Sequence, residues 1–190
     1  MLYTYEMVEY FTQAIVLDKE DFNETDSVVY FYTEELGRVT AKAKGLKKPL
    51  SKLNAHLETL NFAEVRFVSG KNGNFQLVDA LSFDYDLRKK IKKSPAETVK
   101  FLKMARFVKE MTFDLQKDLH LWHALRKVTG ADVEEKIIYR LLLKILGFDP
   151  KAAVCSLCHN PNPAVFYMKD HVFLCEKCSL KVAQNEVVLI

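Results

Sequence analysis

The 190-residue sequence is poor in residues that break or staple a chain: 6 glycines, 5 prolines and 4 cysteines, with a single tryptophan. So little glycine and proline excludes collagen-like and low-complexity chains. A composition of 49% hydrophobic and 28% charged residues excludes an intrinsically disordered one. No apolar run approaches the roughly 20 residues needed to cross a bilayer. The first residues, MLYTYEMVEYF, carry glutamates where a signal peptide would carry a basic patch, and no apolar stretch follows. These absences lead to the expectation of a cytoplasmic protein without a membrane part, whose cysteines serve as metal ligands and not as disulfides. An excess of one charge is also missing, since the net charge is only +3. The length suits one large domain or two to three small ones.

The distribution of charge says more than its sum. Residues 1–35 carry −8, 36–57 carry +6, 58–86 carry −3 and 87–109 carry +8, with the remainder close to neutral. Two windows of 45 residues therefore hold +14, against −11 on the other 145. Clustered lysine is the footprint of a polyanion-binding surface, because each neutralised phosphate releases condensed counterions. A solvated lysine loop and a wet helix face would give the same pattern.

The first 86 residues read as strands. Thr12–Asp18 is β-rich, Lys19–Thr25 reads as a turn, and Ser27–Thr33 is β-branched and aromatic. After Gly37, Arg38–Lys44 alternates as R-V-T-A-K-A-K. That period puts Val39, Ala41 and Ala43 on one face and Arg38, Thr40, Lys42 and Lys44 on the other. The basic loop Gly45–Ser51 follows, then a short helix or turn around Lys52–Leu57. Leu60–Val68 and Phe75–Phe83 are two further strands joined by the hairpin signal Ser69–Asn74. Five short strands, with a connection between the third and fourth, match a Greek-key barrel of OB type.

Beyond residue 90 the period becomes helical. Ser94-Pro95-Ala96-Glu97 predicts an N-cap, a proline at the first helical position and a capping box. A second helix is expected over Thr112–Thr129. A third, Val133–Leu146, is expected to be capped by Asp132 and Glu135 and stopped by Gly147. Its broad stripe of Ile137, Ile138, Leu141–Leu143, Ile145 and Leu146 reads as a helical core.

All four cysteines fall in the last 40 residues, as Cys155-x2-Cys158, sixteen residues, and Cys175-x2-Cys178. Two such knuckles complete a tetrahedral zinc site with no open position, which makes the metal structural. A redox pair or two disulfides are the alternatives. His159 and His171 flank the knuckles, but four thiolates already fill the shell.

The segment AIVLDKEDFNETDSVVYFYTEELGRVTAKAKGLKKPLSKL resembles the N-terminal domain of the RecO family, the bacterial recombination mediators. The shared features are the strand ending Ala14–Leu17, the turn Asn23–Asp26 and Thr33–Gly37 leading into a strand. They continue through Ala43–Gly45, Lys47–Lys48 and Ser51. The order of barrel, helices and four-cysteine site agrees as well. Two departures stand out. Asn23 takes the place of a usual glycine, a minor change because asparagine tolerates the same left-handed backbone. The sequence also runs only twelve residues past Cys178, whereas typical relatives continue with further helices.

The fold expected is thus an α+β multidomain protein. An N-terminal five-stranded OB-fold β-barrel occupies 1–86 and an α-helical domain 87–150. A four-cysteine zinc-finger-like module with a C-terminal segment packing on the helical domain occupies 151–190. The resemblance implies binding of single- and double-stranded DNA, annealing of complementary strands and, with RecR, loading of RecA onto DNA coated by single-strand binding protein. It implies a nucleoid-associated place in the cytoplasm, and a site for the acidic tail of single-strand binding protein in the helical domain.

From the residues themselves, the expected nucleic-acid contacts are Arg38, Lys42, Lys44, Lys47, Lys48 and Lys52. Arg88, Lys89, Lys90, Lys92 and Lys93, at the start of the helical domain, extend the set. Such a stripe can track a phosphate backbone without reading bases. Phe31, Phe62 and Phe67 are expected in the core, and Tyr30 and Tyr32 are the better candidates for stacking on bases. No P-loop, nucleophile elbow or carboxylate pair with a histidine partner occurs, so no enzyme is expected. An RNA-binding OB/zinc-ribbon protein of translation or transcription uses the same physics. A scaffold whose lysines meet acidic peptides is a further alternative.

Overall fold

The computed structural model describes residues 8–70, 73–84, 91 and 94–190. The chain divides into two compact units, Met1–Trp122 and His123–Ile190. The expected contacts Arg88, Lys89, Lys90, Lys92 and Lys93 lie outside the described residues.

In the first unit five strands close into a barrel of order β1-β2-β3-β5-β4, the Greek-key closure expected from the strand spacing. They are β1 (Glu9–Asp21), β2 (Ser27–Thr33), β3 (Gly37–Ala43), β4 (Phe62–Ser69) and β5 (Phe75–Phe83). Strict alternation on β3 buries Val39, Ala41 and Ala43 and leaves Arg38, Thr40 and Lys42 outward, as the period of two requires. Phe31 and Phe67 meet edge to face at 5.3 Å in the barrel core. The barrel closes where β3 meets β5 in parallel, a seam of three pairs from Ala41↔Phe75 to Ala43↔Leu77.

One strand runs further than its sequence suggests. Lys19–Asp21 reads as a turn, yet it continues β1 by pairing with Ser27–Val29. These residues have one paired neighbour and an outward face, so polar side chains cost nothing there. The turn proper is Phe22–Asp26. Asn23 does not adopt a left-handed backbone; its Oδ1 instead accepts from the N–H of Thr25 at 2.9 Å and of Asp26 at 2.7 Å.

Helix α1 (Pro95–Met111) begins as the sequence specifies, with the Ser94 hydroxyl accepting from the Glu97 N–H at 3.2 Å and proline in the first turn. It packs on β1. The helix expected over Thr112–Thr129 is broken. Residues 112–118 instead lie against the edge of the β2–β3 hairpin, where the Leu115 N–H donates to the Arg38 carbonyl at 2.8 Å. Asp118 then caps α2 (Leu119–Val128) by accepting from the N–H of His120 at 2.8 Å and Leu121 at 3.1 Å. Tertiary contact with β3 here outweighs helical periodicity. Within the unit, Trp122 packs edge to face on Phe62 at 5.9 Å.

The second unit contains the rest of α2, α3 (Glu135–Ile145) and a three-stranded sheet of order β7-β6-β8. Its strands are β6 (Val165–Tyr167), β7 (Val172–Leu174) and β8 (Val187–Leu189), with the short α4 (Glu176–Ser179) after β7. The expected Asp132 capping box does not form, because α3 starts later, behind Glu134, with no side-chain cap. Its end is as read: Gly147 has φ +89, and the Phe148 N–H returns to the Leu143 carbonyl at 2.8 Å. Ile138, Tyr139, Leu142 and Leu143 are buried, while Ile137 and Leu141 remain exposed. Phe148, Phe166 and Phe173 stack edge to face at 5.0 and 5.1 Å behind the sheet.

Gly37 shows how tightly residues 112–118 press on the barrel. It has φ +72, and an added Cβ would collide with the backbone carbonyl of Gln116. Gly37→Ala is therefore expected to lower stability by about 2 kcal/mol or more, read as a fall in the denaturation midpoint. An unchanged midpoint would show that the 112–118 segment is not seated there in solution.

Candidate nucleic-acid interface and metal centre

The basic loop leaves the barrel at the end of β3 and is fastened at its base by one carboxylate. Asp26 accepts from the Gly45 N–H at 2.9 Å, from Lys42 Nζ at 3.0 Å, and from Asn23 and Thr25 side chains at 3.2 Å each. The Gly45 N–H above all, and then Lys42, hold its pKa far below the ordinary carboxylate range. Gly45 itself turns with φ +65. A second tie is the Lys47 N–H donating to the Thr25 carbonyl at 3.0 Å.

The expected cations then fall into two groups. Arg38, Lys42 and Lys47 are engaged within the protein. Arg38 Nε donates to Asp114 at 2.7 Å and its Nη1 to the Lys109 carbonyl at 2.6 Å. Besides Asp26, Lys42 lies over the Phe22 ring at 4.2 Å, and Lys47 pairs with Asp21 at 2.8 Å. Lys44, Lys48 and Lys52 are exposed, and no acidic group pairs with them among the described residues. Leu50, between them, is 94% exposed.

The aromatic expectations divide as well. Phe31, Phe62 and Phe67 are buried as expected. Tyr32 is fully buried and not available for stacking: its hydroxyl donates to the Asp118 carbonyl at 3.2 Å, and burial pushes its phenol up to about 12. Tyr30 has Lys109 over its ring at 3.9 Å. That lysine, from the second basic window, is bound to Asp18 at 2.8 Å and Glu20 at 2.6 Å. Burial works against its ammonium, but these bonds outweigh it and raise its pKa. The residues missed by sequence reading are these acceptors. Only the charge alternation between windows hinted at them.

The four cysteines come together in the second unit. Their sulfurs all lie within 4.8 Å of one another, and Cys158 Sγ is 3.6 Å from Cys175 Sγ. Four thiolates on a metal at about 2.3 Å would stand about 3.8 Å apart, so the donor set fits a tetrahedrally held metal. Local backbone shapes each knuckle: the His159 N–H returns to the Cys155 carbonyl at 2.8 Å, with His159 at φ 58, and the Ser179 N–H returns to the Cys175 carbonyl at 2.9 Å. Burial opposes ionisation of Cys155, but backbone N–H groups of Cys175, Cys158 and Leu157 outweigh it and hold the thiol at about 6. Cys178 is pushed up to about 12, by burial first and then by its thiol neighbours. Crowded thiols of this kind ionise together only around a cation. Among the described residues neither histidine joins the cluster; His171 packs beside Phe148 at 5.9 Å.

The second unit also holds a groove of about 430 Å³ lined by Ile137, Leu141 and Ile190, with three cations, Arg140, Lys144 and Lys151, and one acid, Asp149. Among the described residues no helix is long and apolar enough to cross a membrane.

Asn substituted for Asp26 is expected to speed hydrogen exchange at the Gly45 amide severalfold, while the Val39 and Ala41 amides in the ladder hold. The wild-type clamp should follow pH in a set direction. Because the folded-state pKa is depressed, the contribution is full above about pH 4 and is lost as the pH falls through the folded value. Equal Gly45 exchange in both proteins at neutral pH would discount the clamp.

Two comparisons with known proteins complete the picture. Residues 7–83 match the family described as "Recombination protein O N terminal". The chain is 28% identical over 178 residues to a "DNA repair protein RecO" from Bacillus mycoides (strain KBAB4), covering 87% of this chain and 68% of that protein. It is 27% identical, with the same coverage, to proteins of that name from Bacillus cereus (strain AH187) and Bacillus anthracis (strain CDC 684 / NRRL 3495). The matched residues are those that form the closed five-strand barrel, and the likeness of this chain to RecO proteins runs along most of its sequence.

Proposed function

We propose that this chain is a non-enzymatic DNA-binding recombination mediator acting in DNA repair. It would bind single- and double-stranded DNA, anneal complementary strands and, with RecR, help load RecA onto DNA coated by single-strand binding protein. The observation that carries the reading is the clamped loop. Lys44, Lys48 and Lys52 stand exposed with no acidic partner among the described residues, on a loop fastened to the barrel by Asp26. Lys42, Lys47 and Arg38 flank them in surface ion pairs, and the first two can exchange a carboxylate for a phosphate at little cost. Arg88, Lys89, Lys90, Lys92 and Lys93 extend the same set in this proposal.

Annealing follows from charge. Two strands repel along their backbones, and a surface that binds both lowers that barrier and raises their local concentration. No covalent bond is made or broken, so no catalytic side chain is required. Contacts to phosphate alone give little sequence preference and a steep dependence on salt. The apolar groove edged by Arg140, Lys144 and Lys151 suits the acidic tail of single-strand binding protein, by charge and by its apolar floor. A place in the cytoplasm at the nucleoid goes with this role.

We assign the thiolate site to Zn²⁺, held by Cys155, Cys158, Cys175 and Cys178. When bound, the ion supplies cross-linking and charge neutralisation, and it has no open position for chemistry. The chain's own residues do the rest: Cys155, Cys175 and Cys178 belong to the apolar cluster of Val165, Tyr167 and Leu174.

The DNA reading is tested with the triple variant Lys44→Glu, Lys47→Glu, Lys48→Glu. Its affinity for single-stranded DNA should fall at least tenfold at low salt, with a shallower salt slope by about three charges, and annealing should be lost. Unchanged affinity and slope would refute the interface, and a strong preference for RNA would redirect it. For the metal, one zinc per chain is expected by elemental analysis. Cys155→Ser or chelation should remove both the zinc and the cooperative unfolding of residues 123–190. A zinc-free wild type refutes the assignment.

A further inference from the structure

A groove of about 490 Å³ lies on the outer face of the barrel where β1, β4 and β5 pair. The register places Phe11, Arg66 and Asp79 in one row and Gln13, Glu64 and Leu81 in the next. Phe11 and Leu81 are 69% and 60% exposed, an unusual pair of large apolar side chains on a wet sheet face. The rim is acidic, with Glu34 and Glu35 from the β2–β3 hairpin beside Glu64 and Asp79. Arg66 reaches Glu9 at 3.7 Å and Lys117 takes Glu35 at 3.0 Å. Among the described residues no cation pairs with Glu34, Glu64 or Asp79. Such a surface repels nucleic acid, and the DNA reading makes no use of it.

What it fits is present elsewhere on the same barrel. The basic loop carries Leu50 at its tip, almost fully exposed, between Lys48 and Lys52, with Lys44 nearby and none of the three paired with an acid among the described residues. One surface is an apolar floor with three acids, and the other an apolar tip with three lysines, none of them in an ion pair among the described residues. They cannot meet within one molecule. Lys47 fixes the loop to Asp21 at one end of β1, whereas the groove is built on Phe11–Gln13 at the other, eight to ten residues or roughly 30 Å along the strand.

We infer that the groove receives the basic loop of a second copy of this chain, Leu50 seated against Phe11 and Leu81 with Lys48 and Lys52 among Glu34, Glu64 and Asp79. The contact is head-to-tail, formed from two different surfaces of the protein. It is of the weak, salt-sensitive kind, since most of its charges keep contact with water. If the loop also holds DNA, as proposed above, then DNA and the neighbouring copy compete for it. Assembly would then belong to the DNA-free protein, and only this last step rests on the DNA reading.

The test uses two variants of the full chain and sedimentation at low salt, over protein concentrations from ~1 to ~100 µM, the range in which weak steered contacts are populated. The loop variant is Lys48→Glu with Leu50→Asp; the groove variant is Glu64→Lys with Asp79→Lys. Wild type is expected to gain mass with concentration and to lose that gain at high salt. Each variant alone should stay single, and an equal mixture should pair, because one supplies the intact groove and the other the intact loop. An unchanged circular dichroism spectrum and unfolding midpoint of the groove variant show that its barrel is folded. A synthetic peptide of residues 44–53, KGLKKPLSKL, should bind wild type and not the groove variant, and a scrambled peptide should bind at least tenfold less.

A wild type that stays single throughout, or variants that do not pair when mixed, overturns the inference. So does equal binding of the scrambled peptide, which would make the groove a general seat for basic partners. If mixing succeeds but oligothymidylate fails to disperse the wild-type assembly, self-association stands and the DNA reading of the loop falls.

Discussion

One carboxylate organises the end of the barrel that carries the basic loop. Asp26 closes the β1–β2 turn, and its side chain captures the Gly45 N–H nineteen residues later, together with Lys42. The bond joins the β1–β2 turn to the longest excursion from the sheet. Without it the loop would keep only the ties of Lys47 and the buried Leu46, and its lysines would lose more conformational entropy on meeting a polyanion. With it their stems begin from fixed points. The same carboxylate neutralises Lys42, so the anchoring charge is taken from the cationic patch itself.

That trade recurs over the whole first unit. The acidic stretch 1–35 and the basic windows that follow it partner one another. Asp18 and Glu20 hold Lys109, Asp21 holds Lys47 and Asp26 holds Lys42. Sequence reading locates both kinds of charge and assigns the cations to DNA, yet only strand register decides which of them meet an acid first. Lys44, Lys48 and Lys52 escape because the loop carries them past the end of β3.

Legibility follows locality. Ser27–Thr33 and Phe75–Phe83 are read to the residue, because alternation, flanking turns and burial agree within a few positions. The cysteine cluster is equally legible: each knuckle is a four-residue device, and only the distance between knuckles depends on the fold. Thr112–Asp118 fails for the opposite reason. Its periodicity suits a helix, but Arg38, more than seventy residues earlier, offers a carbonyl to Leu115 and a guanidinium to Asp114. Tyr32 fails in the same way, since alternation turns it outward from the barrel and the arriving 112–118 segment then covers it. Nothing within ten residues of either position announces the other.

The seam at which the barrel closes has a consequence for how the protein is made. β1, β2 and β3 pair in chain order through short turns, so this meander and its Asp26 clamp can form while the ribosome is still adding β4. The three pairs joining Ala41–Ala43 to Phe75–Leu77 wait for more than thirty further residues. Until then β1 and β3 are bare edges, and an open edge invites pairing with any passing strand. The edge of β3 leads directly into the lysines, so the nascent half-barrel shields its most vulnerable side with its own positive charge.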